Sequence, residues 1–74
     1  MSKLPLLSWR KVVKVLVKAG FKPARQKGSH IILVKNEYIV PIPKHKEIKR
    51  GLLLEITAEA GMTKEEFLKL LEEL

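Results

Sequence analysis

A histidine behind a Gly-Ser pair, set among cations, is the clearest candidate for chemistry in this 74-residue chain: Lys27-Gly28-Ser29-His30. Gly28-Ser29 suits a two-residue hairpin turn with glycine at the first central position, where φ must be positive. His30 then opens the strand continued by Ile31-Ile32-Leu33-Val34, at the rim of a sheet. An imidazole held on a rigid strand, with Arg25, Lys27 and Lys44 close by, suits proton transfer on a phosphate-bearing substrate. Local spacing alone leaves the plainer reading open, a turn histidine with no chemical role. His45 is the second and last imidazole. For it the reading as a loop histidine satisfied by backbone comes first. Two histidines without clustered carboxylates, in a chain with no cysteine, make a poor metal site. Neither a metal nor another cofactor is therefore expected.

The elements around that turn follow from periodicity. Ser8 is a good N-cap, and Leu7 can staple onto Val12 across it. Trp9, Val12, Val13, Leu16 and Val17 recur at helical spacing, and Gly20 supplies the stop. Arg10, Lys11, Lys14 and Lys18 fill the other side, a face with no acidic residue. Pro23 keeps the next segment out of helix, and Ala24 to Lys27 can form a short edge strand. His30 to Lys35 is the strongest strand, rich in β-branched residues. Asn36-Glu37 turns the chain, and Tyr38 to Ile42 returns as a third strand, an edge because Pro41 and Pro43 lack an amide donor. Gly51 opens a helix with Leu53, Ile56 and Ala60 on one face, and Gly61 ends it. Thr63 and Glu66 then form a capping box for a last short helix with Phe67, Leu70, Leu71 and Leu74 along one side. In the second strand Ile31 and Leu33 point one way, His30, Ile32 and Val34 the other. Both sheet faces are thus partly apolar. An open second face would point to a protein partner or to self-association. A sheet twisted enough to bury both faces is the alternative.

Size and charge bound the rest. Seventy-four residues suffice for one small domain, 1–74. The absence of cysteine fits a reducing, cytoplasmic setting. No apolar run approaches a membrane span, and the segment from Met1 to Leu7 is too short for a signal peptide. Net charge is +7 and unevenly spread. Residues 1–50 carry thirteen Lys and Arg against Glu37 and Glu47, net +11. Residues 51–74 carry Lys64 and Lys69 against six Glu, net −4. Lys/Glu-rich surfaces usually mix their signs, so this split favours a polyanion such as nucleic acid on the N-terminal two-thirds.

Several pieces carry a resemblance over about residues 8–68. They are Leu16-Val17-Lys18-Ala19-Gly20-Phe21, Gln26-Lys27-Gly28-Ser29-His30, Val40-Pro41-Ile42-Pro43-Lys44-His45, Lys49-Arg50-Gly51, Ile56, Ala60-Gly61-Met62-Thr63 and Glu65-Glu66-Phe67. In this order the chain resembles the HicA (YcfA-like) toxins, the messenger-RNA-cleaving partners of type II toxin–antitoxin pairs. The resemblance implies an α+β, double-stranded-RNA-binding-domain-like fold: α-β-β-β-α, a three-stranded antiparallel sheet packed on helices, here with a short C-terminal helix added. It implies a metal-independent endoribonuclease (mRNA interferase) with His30 as the catalytic residue. It also implies a HicB-type antitoxin that covers the active site. The family often has Gly-Thr where this chain has Gly51-Leu52, a segment one residue longer than His45 to Gly51, and a polar residue where Ile31 stands. These departures fall at the RNA-contacting edge and leave His30 untouched.

Cleavage without metal can use the substrate's 2′-hydroxyl as nucleophile, with His30 taking that proton or protonating the leaving 5′-oxygen. Lys11, Lys14, Arg25, Lys27, Ser29, Lys44, His45 and Lys46 are the candidate RNA-binding residues. A non-catalytic double-stranded-RNA-binding module of the same fold is the alternative, and His30 discriminates, because binding alone needs no imidazole at the turn. A DNA-binding helix-turn-helix is disfavoured by the three strand signals.

Overall fold

The computed structural model describes residues 4–74. Residues 1–3, which open the Met1–Leu7 segment on which the signal-peptide expectation rests, lie outside the described residues. The order is α1 (Trp9–Lys18), β1 (Lys22–Lys27), β2 (His30–Lys35), β3 (Tyr38–Pro43), α2 (Arg50–Glu59) and α3 (Lys64–Glu72). The strands form one antiparallel sheet in the order β1-β2-β3. This is the expected α+β layout, α-β-β-β-α with a further helix.

Helix α1 starts where Ser8 Oγ accepts the Lys11 amide at 3.3 Å. It ends in a Schellman turn: Gly20 sits at φ +106°, and the Phe21 and Gly20 amides donate to Leu16 O and Val17 O, both at 3.0 Å. Lys35 adds a bond the sequence does not announce, its Nζ donating to Ala19 O at 2.7 Å. The ammonium thereby meets the negative end of the helix dipole. The inward face is Val12, Val15 and Leu16. Val17, expected inward, is 45% exposed. Five steps of about 100° carry it roughly 140° around the axis from Val12, while Val15 stays beside Leu16.

Strand β1 starts two residues earlier than expected and runs through Pro23. An outer strand tolerates proline on its solvent side, and the register slips between Pro23 and Arg25. That irregularity, the proline and three cations protect an exposed edge from pairing with other chains. Ile31 pairs with Ile42, and Leu33 with Val40. Leu33, Val40 and Ile42 are fully buried against the helices. On the opposite face His30 pairs with Pro43, Ile32 with Pro41 and Val34 with Ile39. Ile39 is 64% exposed and β1 is exposed throughout, so this second face stays open among the described residues.

Helix α2 begins at Arg50, one residue before the expected Gly51, with Lys49 as an N-cap that makes no side-chain capping bond. Leu53, Ile56 and Ala60 are buried as their spacing predicts. Thr57 is buried too, its hydroxyl satisfied by donating to Leu54 O at 2.8 Å. A second Schellman turn at Gly61 (φ +71°) closes the helix, with the Met62 amide on Thr57 O at 2.9 Å. The capping box at α3 is complete: Thr63 N–H to Glu66 Oε1 at 2.8 Å and Glu66 N–H to Thr63 Oγ1 at 3.0 Å. Phe67 of α3 is fully buried in the core shared by α1, α2 and the sheet. Leu74, expected on the same side, lies past the helix end and is half exposed.

Candidate active site at the β1–β2 turn

The turn is built as its residue types require. Gly28 takes φ +58°, Ser29 does not share that positive value, and Lys27 pairs directly with His30. A Cβ on Gly28 would meet nothing within 4 Å, so the demand for glycine here is conformational rather than steric. Antiparallel pairing puts Lys27 and Arg25 on the same open face as His30 and Ile32. His30 itself is exposed.

Two backbone bonds tie the stretch after β3 to this turn and to α1, and a third bends the stretch itself. The Lys44 amide donates to Ser29 O at 2.9 Å, immediately beside His30. The His45 amide donates to Pro43 O at 2.8 Å, bending the chain away from the strand. The Trp9 amide donates to His45 O at 3.1 Å. Further along, Ile48 N–H donates to Leu7 O at 2.6 Å, within a bridge between Leu7 and Ile48. A stretch without helix or strand is thus fixed on both sides. It carries Lys44, His45 and Lys46, of which the last two are exposed.

The structure therefore brings Lys27, Ser29, His30, Lys44 and His45 together at one end of the sheet, with Lys46 next in the chain and Arg25 two residues back along the open face. Lys11 lies in the first turn of α1, the turn joined to His45 through Trp9, and is exposed. Lys14 is also exposed but stands about one turn, roughly 5 Å, further along the axis.

Trp9 and Arg10 belong to this end as well, although periodicity marks Trp9 only as an apolar helix position and Arg10 only as part of a basic face. The Arg10 guanidinium lies 5.2 Å and Lys44 Nζ 5.5 Å from the centroid of the Trp9 ring. Both fall within cation–π range. An aromatic residue followed by arginine at a helix start is a signal available in the sequence. The approach of Lys44 is not, because it depends on the long-range bond from Trp9 to His45.

Two further observations bound the site. Among the described residues no group of three or more His, Asp or Glu side chains could hold a metal ion. A cleft of about 700 Å³ between Phe21, Lys35, Tyr38, Met62 and Leu70 lies at the opposite end of β2 from His30. Five strand residues put those two ends roughly 16 Å apart, so the cleft has no part in chemistry at the turn. Among the described residues, no helix is long and apolar enough to cross a membrane.

No curated protein matches the chain. The model of a protein family, described as the HicA toxin of bacterial toxin–antitoxin systems, matches residues 9–62. The match runs from Trp9 through the Gly-Ser-His turn, the whole sheet and α2 to Met62, and so takes in every candidate site residue above. On that match the chain belongs to the HicA toxin family of bacterial toxin–antitoxin systems.

Proposed function

We propose that this toxin is a metal-independent endoribonuclease that cleaves messenger RNA in the cytoplasm, with His30 as its general acid or base. The observation that carries the reading is the presentation of His30. An exposed imidazole stands at the rigid rim of a sheet, shares its face with Lys27 and Arg25, and adjoins the anchored Lys44. In the proposed step the ribose 2′-oxygen attacks the adjacent phosphorus and the bond from phosphorus to the 5′-oxygen breaks. The products are a 2′,3′-cyclic phosphate and a 5′-hydroxyl. Neutral His30 accepts the 2′-hydroxyl proton, or protonated His30 supplies the proton to the departing oxygen. It fills one of these roles at a time, and solvent water takes or supplies the other proton. Lys27, Lys44 and Lys46, with Arg25 and the Ser29 hydroxyl, hold phosphate and offset charge as it develops. His45, Lys11 and Lys14 extend the contact along the backbone. Recognition through phosphates and 2′-hydroxyls fits a face with many cations and few groups for reading bases.

RNA affinity should accordingly fall steeply with salt, since each neutralised phosphate releases counterions. Replacing Lys27 and Lys44 together with Gln should flatten the slope of log affinity against log salt by roughly 1.4, about 0.7 for each phosphate no longer neutralised on single-stranded RNA. Replacing Lys64 and Lys69 on the acidic helix should leave the slope unchanged. Equal effects from the two pairs would overturn the assignment of the basic face. Salt-dependent binding without cleavage would instead favour a non-catalytic RNA-binding module.

Control falls to a HicB-type antitoxin. Its contact surface would be acidic opposite Lys27, Lys44 and Lys46 and apolar opposite Ile32 and Ile39 on the open sheet face. Charge gives such an interface speed and selectivity, and the apolar patch gives much of its affinity. Co-expression with the antitoxin should restore growth, and amide exchange over residues 27–34 should slow in the complex. A neutralising complex in which those amides exchange as in the free toxin would refute direct occlusion.

A further inference from the structure

We infer that Trp9, Arg10 and Lys44 form a phosphate clamp beside His30, in which Trp9 is a positioning residue that holds the two cations. The inference deepens the RNA-cleaving reading above and rests on it. A lysine side chain on a surface ordinarily samples many rotamers, and its ammonium stays hydrated. Lys44 is instead half-buried, with its ammonium 5.5 Å from the indole centroid. Arg10 meets the same ring at 5.2 Å. Attraction to the ring quadrupole gathers two like charges around a single indole. The first turn of α1 has no acidic residue to neutralise them.

The backbone fixes where this pair sits. Trp9 N–H binds His45 O at 3.1 Å, and Lys44 N–H binds Ser29 O at 2.9 Å. The indole and the catalytic turn are therefore joined through residues 44 and 45. Neither end can move without breaking a bond or shifting β3. Trp9 is also half-buried and packs on the core, which steadies the ring itself. The ligand that matches is a phosphodiester of the RNA backbone, a single negative charge whose two free oxygens take charge-assisted bonds from a guanidinium and an ammonium. Trp9 acts through the cations, so its effect depends on Lys44 being present. A ring that stacked directly on a base would act whether Lys44 were there or not.

A double-mutant cycle separates these cases. Binding of a fluorescein-labelled, single-stranded RNA of mixed sequence is measured by anisotropy in the His30→Ala background, where the strand stays intact. Trp9→Leu and Lys44→Met should each weaken binding. In the Trp9→Leu background, Lys44→Met should cost about two- to fivefold less than it does with Trp9 present, the size of an exposed cation–π interaction. Trp9→Phe keeps an aromatic packing surface and should give an intermediate coupling, which serves if Trp9→Leu melts early. Trp9 is the single tryptophan, so its emission reports on the clamp alone. RNA should change that emission, and the change should shrink in Lys44→Met. Additive losses in the cycle, or an equal emission change without Lys44, would overturn the clamp while leaving the RNA reading intact. Failure of the reference protein to bind RNA would overturn both.

Discussion

His30→Ala should slow RNA cleavage by roughly 10²–10⁴-fold, the usual contribution of one positioned acid or base. The fold should survive the change. His30 is exposed, and its pairing with Lys27 and Pro43 runs through the backbone, which alanine preserves. An exposed substitution of this kind typically shifts stability by no more than about 0.5 kcal/mol. RNA affinity should change little, because the cations of the face remain. Single-turnover cleavage of a labelled RNA, alongside melting curves for both proteins, checks the three statements together. A purified, folded mutant that cuts at the wild-type rate would sink the role of His30. His45→Ala in the same assay should cost less, since His45 lies beyond the chain bend at Pro43.

Phe67→Ala should be the most damaging substitution for the fold. Phe67 is fully buried, and α3 contributes no other fully buried side chain. Removing a buried phenylalanine costs about 3–5 kcal/mol through forfeited transfer energy and the cavity left behind. A domain of this size has a total stability of about that magnitude. The mutant should therefore be largely unfolded at physiological temperature, with far-ultraviolet dichroism and the thermal transition both reduced. Leu74→Ala, at a half-exposed position past the helix end, should melt within a few degrees of wild type. The family match ends at residue 62, before Phe67, yet the core needs that ring. Near-normal melting of Phe67→Ala would mean that α3 is an appendage rather than part of the core.

Where structure depends on near neighbours, the sequence is readable. The Ser8 cap, the glycine stops at Gly20 and Gly61, the Gly28-Ser29 turn and the Thr63–Glu66 capping box each need only a few adjacent residues. All of them occur in the structure. Sequence and structure part where distant partners decide. Helical spacing alone turns Val17 inward, but the direction of the α1 stripe is set by what β3 and α3 present, and that selects Val15. Pro23 suggests a strand starting after it, yet an unpaired outer edge admits proline, so β1 begins at Lys22. Helix α2 starts at Arg50 without a capping side chain, so its first turn has no local signature.

The site divides the same way. Lys27, Ser29 and His30 are contiguous, and their geometry follows from the turn type. Lys44 and His45 reach them only through the pairing of β2 with β3 and the bond from Lys44 to Ser29. The sequence already puts Lys44 close to His30, but the bonds that fix Lys44 and His45 there have no local signature. The approach of Lys44 to Trp9 is invisible in the sequence, because one helix residue gives no hint that a loop thirty-five positions later will bring a lysine over its ring.

Cleavage chemistry in the presence of a chelator tests the assignment of this toxin as a His30-dependent, metal-independent ribonuclease most directly. Wild-type protein is mixed with end-labelled RNA in excess EDTA, beside the same sequence made with 2′-deoxyribose and beside His30→Ala. The expected result is RNA cut to fragments ending in 2′,3′-cyclic phosphate and beginning with 5′-hydroxyl, an intact deoxy strand, and almost no cutting by the mutant. Loss of wild-type cleavage in EDTA with recovery on adding a divalent cation, or equal cutting of the deoxy strand, would contradict it.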